Sequence, residues 1–588
     1  MASQAGPSKL PPIDVSKPLA ASRPQALSRS QSKSAAVDPI LRNTLRYTIS
    51  AREYESLHKY VLSRSRLLRR KAPSVNTVEK YMAGGKPENR QDKGKAREGS
   101  SASNGSGGDS YNARAVRHAL RVFIVTGLGM KAYGVIMGRL KGRKDVSRSR
   151  KKDPFYKSPT LRLSLSLSTI LLLYRFLFRF LSRLRLHLLD PSAEPFRVRN
   201  PRTTQTLTSP YAPAFGASLA GLALGIYPAQ QMRVSVAIYT MFRALEFGWN
   251  LLEDDGIIWG WRSKAGGTGL VKSERPWWFG SWMLQPFAFG QLLHATIFDR
   301  DCSPTPMTEL IWKGTSEYLH SAPKNLPTGV KWPTPWDVAD NLAQMAKLNW
   351  PPYISPTLFP NQQTLPPALT AIAPLTSRAH PLITSLSCAT LHPSDPSCIR
   401  TYVSFWLRSF PRLGRFFLVF YSVLMLPKYK DLYNAPLTVL TGLLSRTLRI
   451  STFATGAIST AWASICFFQA WLPRTFLPTQ RFFLGGFLAG LWGFVERKQG
   501  RGLFLYSART SVDSLWKVGV KRRWWKAMQG GDVWVFVLAL AITGVVYEKD
   551  ARAIREGNWR KGVSWVRGTS WKDWEVEEED EGEKEKTQ

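Results

Sequence analysis

The chain has 588 residues, with 81 Lys and Arg against 41 Asp and Glu, a formal net charge of +40 and a pI near 10.3. Such an excess of positive charge needs a polyanionic neighbour, nucleic acid or an anionic membrane surface; 22 tryptophans and 12% aromatic content favour the membrane, because Trp and Tyr settle at headgroup depth. Four cysteines, Cys302, Cys388, Cys398 and Cys466, are too few for a disulfide scaffold.

In chain order, residues 1–37 are rich in Ser, Pro, Ala and Lys, with almost no acids, and read as disordered. Their composition resembles a transit peptide, without a clean amphipathic Arg helix or a secretory signal. Asp38-Pro39 is a helix start. Residues 39–71 form an amphipathic, very basic helix ending in Arg69-Arg70-Lys71, and 72–112 form a polar linker. Residues 1–112 are thus a basic, largely disordered region with one helix.

A first membrane module is expected over 113–302. Residues 119–138 are apolar enough to cross, with Lys131 among them, and a basic loop follows from Lys141 to Lys152. In 161–189, Arg175, Arg179 and Arg183 are spaced by four along an apolar helix, which predicts an interfacial or tilted segment rather than a simple span. The hairpin Ala214–Asn250 follows, closed by Glu253-Asp254-Asp255. Ala265 to Gly269 lacks the Lys-Ser/Thr of a P-loop and reads as a flexible turn. Residues 277–298 end the module behind a Trp belt. Residues 303–379 form a Pro-rich connector with one short helix near 336–348. A Cys/His segment and a second membrane module occupy 380–548, with apolar segments at 402–426, 436–449 and 453–472, the hairpin Phe483–Gly519, and 533–547. The charged tail 549–588, with its acidic run from Glu575 to Glu583, reads as disordered. Few of these runs reach the ~20 apolar residues of a full span.

The two hairpins are copies of one pattern. Leu219-Ala220-Gly221-Leu222 matches Leu488-Ala489-Gly490-Leu491, and Tyr239, Glu246 and Trp249 match Tyr506, Asp513 and Trp516. The fold class expected is all-α, a multi-pass helical membrane protein of two related modules. Ala217, Gly221 and Gly225 are spaced by four, as are Gly486 and Gly490, so small residues line one helix face and admit another backbone. Arg243 with Glu246, and Arg509 with Asp513, lie one turn apart in apolar helices. They read as self-neutralising intrahelical pairs or as a polar seam between the modules that lines a solute or lipid path.

Three further patterns bear on chemistry. Cys388-x3-His392-x5-Cys398, with His380 upstream, offers two thiols and two imidazoles. A turn with free thiols is the reading adopted, against a Cys388–Cys398 disulfide or a zinc set of His380, Cys388, His392 and Cys398. His294-x4-Asp299 has the spacing of the catalytic pair of glycerolipid acyltransferases but lacks an accompanying phosphate motif. No nucleophile triad, metalloprotease helix or dinucleotide fingerprint is found, and no cofactor is expected.

The second hairpin, FLAGLWGFVERKQGRGLFLYSARTSVDSLWKVGV, followed by GDVWVFVLALAITGVVYE, resembles the transmembrane protein 135 family, as do CATLHPSDPSC and LRSFPRLGRFFLVFYSVLMLP. The likeness covers roughly 380–550. The Gly-rich helices are more distantly similar to small membrane import translocase subunits and to a peroxisomal membrane protein group. The resemblance implies a multi-pass protein of peroxisomal or mitochondrial membranes, acting in lipid distribution, fatty-acid metabolism or organelle dynamics, and it carries no catalytic residues. The function expected is non-enzymatic, with the bilayer and its anionic lipids as partners, alongside other membrane proteins or self-association; nucleic acid is not expected. The alternatives are a lipid-modifying acyltransferase built on His294 and Asp299, and a basic nucleic-acid-binding protein using the N-terminal region.

Overall fold

A computed structural model describes residues 47–49, 51–62, 78, 111–140, 158–263, 270–304, 315, 318–320, 322–323, 329–362, 365–428 and 433–568. The chain falls into two units, Met1–Arg117 and His118–Gln588. In the first, α1 (Ala51–Leu57) continues into a π-helical turn, His58–Leu62. The rest of the expected 39–71 helix, the 1–37 tail, most of the 72–112 linker, the Lys141–Lys152 loop and the Glu575–Glu583 run lie outside the described residues.

α2 (Tyr111–Leu140) holds the last residues of the first unit and opens the second. There follow α3 (Pro159–Leu189), α4 (Glu194–Arg199), α5 (Pro201–Thr208), α6 (Ala212–Ala217) with a 3₁₀ continuation Ser218–Ile226, and α7 (Gln230–Asp254). A two-stranded antiparallel ribbon, β1 (Trp261–Ser263) and β2 (Leu270–Lys272), flanks the expected turn at 265–269, itself outside the described residues. Then come α8 (Leu284–Phe298), α9 (Pro335–Lys347), α10 (Ala373–Thr376), α11 (Leu386–Leu391), α12 (Cys398–Met425), α13 (Pro436–Trp471) and α14 (Arg481–Gly490) with a 3₁₀ continuation Leu491–Glu496. The chain ends with α15 (Arg501–Lys521), α16 (Gly531–Lys549) and α17 (Gly557–Arg567). The architecture is all-α.

Among the described residues, four helices are long and apolar enough to cross a membrane: α2, α3, α13 and α16. At 1.5 Å per residue the 31 residues of α3 run about 46 Å, beyond the ~30 Å of a hydrocarbon core. The 15 residues of α8 run only about 22 Å.

Four sequence expectations change. The arginines of α3 do not form one headgroup stripe. Arg175 is buried, bonds His118 Nδ1 at 2.6 Å and donates to the carbonyls of Val566 and Trp565, whereas Arg183 is exposed. The runs 436–449 and 453–472 are one unbroken helix, because Ser451, Thr455 and Ser459 are small enough to be buried against neighbours without a bend. The stretch 551–567 is folded: Ala551, Ala553 and Ile554 join Phe247, Leu251 and Tyr547 in one cluster, and the Asn250 amide donates to the Ala553 carbonyl at 2.9 Å. The Pro-rich segment is not a loose connector. α9 starts at a capping box between Thr334 and Asp337, and its Val338, Leu342 and Met345 enter the largest apolar cluster with Trp350, Ile372, Leu386, Phe405 and Trp462.

The long helices pack in two groups. α3 lies against α6 and its 3₁₀ continuation, and α16 covers that pair and α7. α13 lies against α14 and its 3₁₀ continuation, and α8 covers that pair and α15. Glycine permits the contact in each. A Cβ at Gly490 would collide with the Pro286 backbone of α8, and one at Gly486 with the Phe289 carbonyl. At Gly221 a Cβ would stand 3.0–3.2 Å from Val537, Phe536 and Leu540 of α16; at Gly225 it would meet only Val533, at 3.9 Å. Ala217 is fully buried with Tyr174 and Phe178 of α3. The small-residue faces therefore receive α8 and α16, not each other. We expect Gly490→Ala to lower stability by at least about 1–3 kcal/mol, since the obstacle is backbone, and Gly225→Ala to change it by less than about 0.5 kcal/mol; thermal unfolding of the detergent-solubilised protein measures both.

Candidate functional site

The Cys/His segment folds into a compact site. α11 presents Cys388 from its middle, and the chain leaves through His392. Pro393 and Pro396 turn it back, and Ser397 caps α12 by accepting from the Arg400 amide at 3.3 Å, which places Cys398 at the first helical position. The fourth member comes from α13: Cys466 points into the same space. Cys388 and Cys398 Sγ are 3.7 Å apart, His392 Nε2 lies 3.3 Å from Cys398 Sγ and 3.5 Å from Cys466 Sγ, and all four donor atoms lie within 4.8 Å of one another. Cys388, His392 and Cys466 are buried, Cys398 half-buried, and all four cysteines of the chain are free thiols. The other imidazole nitrogen, Nδ1, is 2.7 Å from the Asp395 carbonyl, so it carries a proton and donates there, while Nε2 faces the sulfurs. Burial alone would push the His392 imidazole down, but the thiols of Cys388 and Cys398 outweigh it and hold it up to about 10. The Cys398 thiol is held well below the usual range by the Cys388 and Cys466 thiols and by His392.

His380, the fourth ligand of the zinc alternative, is not in this set. Its Nδ1 accepts from the Leu382 amide at 3.2 Å and its own amide donates to the Pro393 carbonyl at 2.8 Å, so it shapes the approaching loop. Cys466 lies far along the chain, in an apolar helix where nothing in the spacing marks it. Its one signal is that it belongs to a set of only four cysteines.

An apolar cavity of about 440 Å³ lies between α8, α13, α14 and α15, with Phe289, Ala457, Trp462, Phe482, Leu503 and Tyr506 in its wall. Two hydroxyls at its edge are already engaged: Thr296 with the Leu292 carbonyl and Ser303, and Ser507, which accepts from the Gln285 amide. Hydrophobic patterning marks these helices as buried but does not show where four of them fail to close.

Between α7 and α15, Glu246 bonds Arg243 at 3.1 Å and also pairs with Arg501 across the interface, while Arg243 reaches Glu556 at 3.0 Å. The Arg509–Asp513 pair does not form. Arg509 lies over the Tyr239 ring, 4.5 Å from its centroid, and Asp513 pairs with Lys517 at 2.6 Å. Glu253, noted in the sequence only as part of an acidic cluster, is buried and held by Arg275 at 2.5 and 2.8 Å and by Arg555 at 3.1 Å.

His294 and Asp299 do not form the acyltransferase pair. Asp299 is buried at the end of α8, and its two oxygens face Arg522 at 2.6 Å and Lys521 at 3.5 Å, from the C-terminal end of α15 and the residue that caps it; the His294 ring instead packs on Phe298. Asp299→Asn is therefore expected to cost about 1–3 kcal/mol by stripping two cations of their partner, and His294→Ala less than about 1 kcal/mol; thermal unfolding in detergent distinguishes them, and equal costs would refute this assignment. No protein-family model, no curated protein and no solved structure matches the chain.

Proposed function

We propose that this chain is an integral membrane protein of two related helical modules that holds the acyl part of a lipid, and that it serves lipid distribution in a peroxisomal or mitochondrial membrane, as its resemblance to the transmembrane protein 135 family implies. The apolar cavity between α8, α13, α14 and α15 carries this reading. Its size falls in the range of small-molecule pockets, and its wall offers almost nothing for a polar ligand to bond. An acyl chain gains by leaving water for such a wall, at about 25 cal/mol per Å² of apolar surface.

The outer surface supports placement in lipid. Along α12 and the start of α13, Phe416, Val419, Val423, Leu424, Leu437, Leu440 and Leu444 are all more than half exposed or close to it, a patch too large for a surface in water.

The packing also supports two related modules. Pro286 and Gly290 of α8 meet Gly490 and Phe483; Leu540 and Gly544 of α16 meet Gly221 and Ala214. The spacing is four residues in each covering helix and seven in each hairpin, and the hairpin positions are those that match in sequence. The covering helices are exchanged: α8 follows the first hairpin but covers the second, and α16 follows the second but covers the first. Each module completes the other, so neither half is expected to fold alone. Expressed separately, residues 1–330 and 331–588 should be degraded or aggregated. Co-expressed, they should co-purify as one species, and stable separate halves would sink the exchanged arrangement.

For the cavity, purified protein in nanodiscs is labelled with a photoreactive fatty acyl phospholipid. We expect Ala457→Trp, which fills the space, to reduce labelling of α13 and α15 peptides at least fivefold, while Leu538→Trp on the exposed face of α16 leaves it unchanged. Equal labelling of wild type and Ala457→Trp would overturn the lipid-holding role.

A further inference from the structure

We infer that Cys388, His392, Cys398 and Cys466 hold one zinc ion in a closed, structural site. The geometry already fits the ion. Zinc bonds thiolate sulfur at about 2.3 Å and imidazole nitrogen at about 2.0–2.1 Å, so a tetrahedron places its sulfurs about 3.7 Å apart and nitrogen about 3.5 Å from sulfur. The observed edges are 3.7 Å for Cys388–Cys398, 3.3 Å for His392–Cys398 and 3.5 Å for His392–Cys466. Three sulfurs and one nitrogen in this shape select zinc over the harder divalent ions, which prefer oxygen and six ligands.

The outer contacts agree. A ligating imidazole ordinarily gives its second N–H to a carbonyl or carboxylate, which fixes the tautomer and aims the ring. His392 Nδ1 does this to the Asp395 carbonyl at 2.7 Å. Asp395 is itself fixed, because its carboxylate accepts from the Ser397 amide at 2.9 Å. Cys398 stands at the first position of α12, where the free amides of the helix end favour a thiolate. With the ion bound, three thiolates and a neutral His392 give the site one net negative charge, and the protons that these four groups shed go to solvent.

All four positions are filled by the protein, so no coordination site is open for water or substrate, and the ion serves structure rather than catalysis. What it joins is specific. Cys388 lies in α11 within the largest described apolar cluster, Cys398 begins α12, and Cys466 belongs to α13, whose Trp462 and Ile465 form part of the cavity wall. The ion would tie the Pro-rich segment and the start of α12 to the helix that shapes the cavity.

The test is metal analysis of the full chain, purified in detergent without chelator. The expected result is one zinc per chain in the wild type, in Cys302→Ser and in His380→Ala, and none in Cys466→Ser. Should Cys466→Ser fail to fold, wild-type protein loaded with Co²⁺ must show the intense visible bands of tetrahedral thiolate coordination, and zinc must displace them. Metal-free wild type with all four thiols alkylated at equal rates with or without added zinc would overturn the site. So would a Cys388–Cys398 disulfide found by mass spectrometry of unreduced peptides, or a His380→Ala variant that loses the ion while Cys466→Ser keeps it.

Discussion

The structure depends on backbone meeting backbone where glycine leaves room. Gly486 and Gly490 of α14 lie against the main chain of α8 between Gln285 and Gly290, and Gly290 in turn receives Phe483. Helices surrounded by lipid gain little from hydrophobic exclusion, so such close van der Waals approach is what holds them. The same logic at Gly221 and Gly544 seats α16 on the first hairpin through side chains rather than backbone. The two contacts have opposite chain order, so within His118–Gln588 each covering helix is tied to the more distant hairpin.

Charge is arranged to suit that packing. Each described buried acid is met by an arginine from another element, Glu253 by Arg275 and Arg555, Asp299 by Arg522 and Glu496 by Arg449 at 3.9 Å, and the half-buried Asp532 meets Arg233 at 2.7 Å. Removing either partner from such a pair leaves a desolvated charge, so these pairs fix which helix lies beside which more than they add stability. Few of the chain's many Lys and Arg are used in this way, and the formal net charge remains +40. Lipid inside the cavity and lipid around the outer surface would thus be handled by different chemistry, apolar wall within and cation without.

The sequence by itself determined the helical class and marked Gly221, Gly486 and Gly490 as places of close approach, because apolar periodicity and small residues at a spacing of four are local properties. It determined the short helix near 336–348, since the Thr334–Asp337 capping box is written in neighbouring residues. It also singled out Cys388, His392 and Cys398 as a group. It did not determine where long-range partners would come from. Cys466 replaces His380 because α13 folds back over α11, and Arg509 turns to Tyr239 because α7 lies beside α15; neither relation leaves a mark on the spacing of residues along the chain. The Pro-rich segment reads as a linker because its apolar residues have no helical period, yet they fill a core that many separate elements share. Only tertiary structure decided the exchange of α8 and α16, the cavity that it leaves and the convergence of four soft donors, because each arises from surfaces that meet across hundreds of residues, and periodicity reports only a residue's own element.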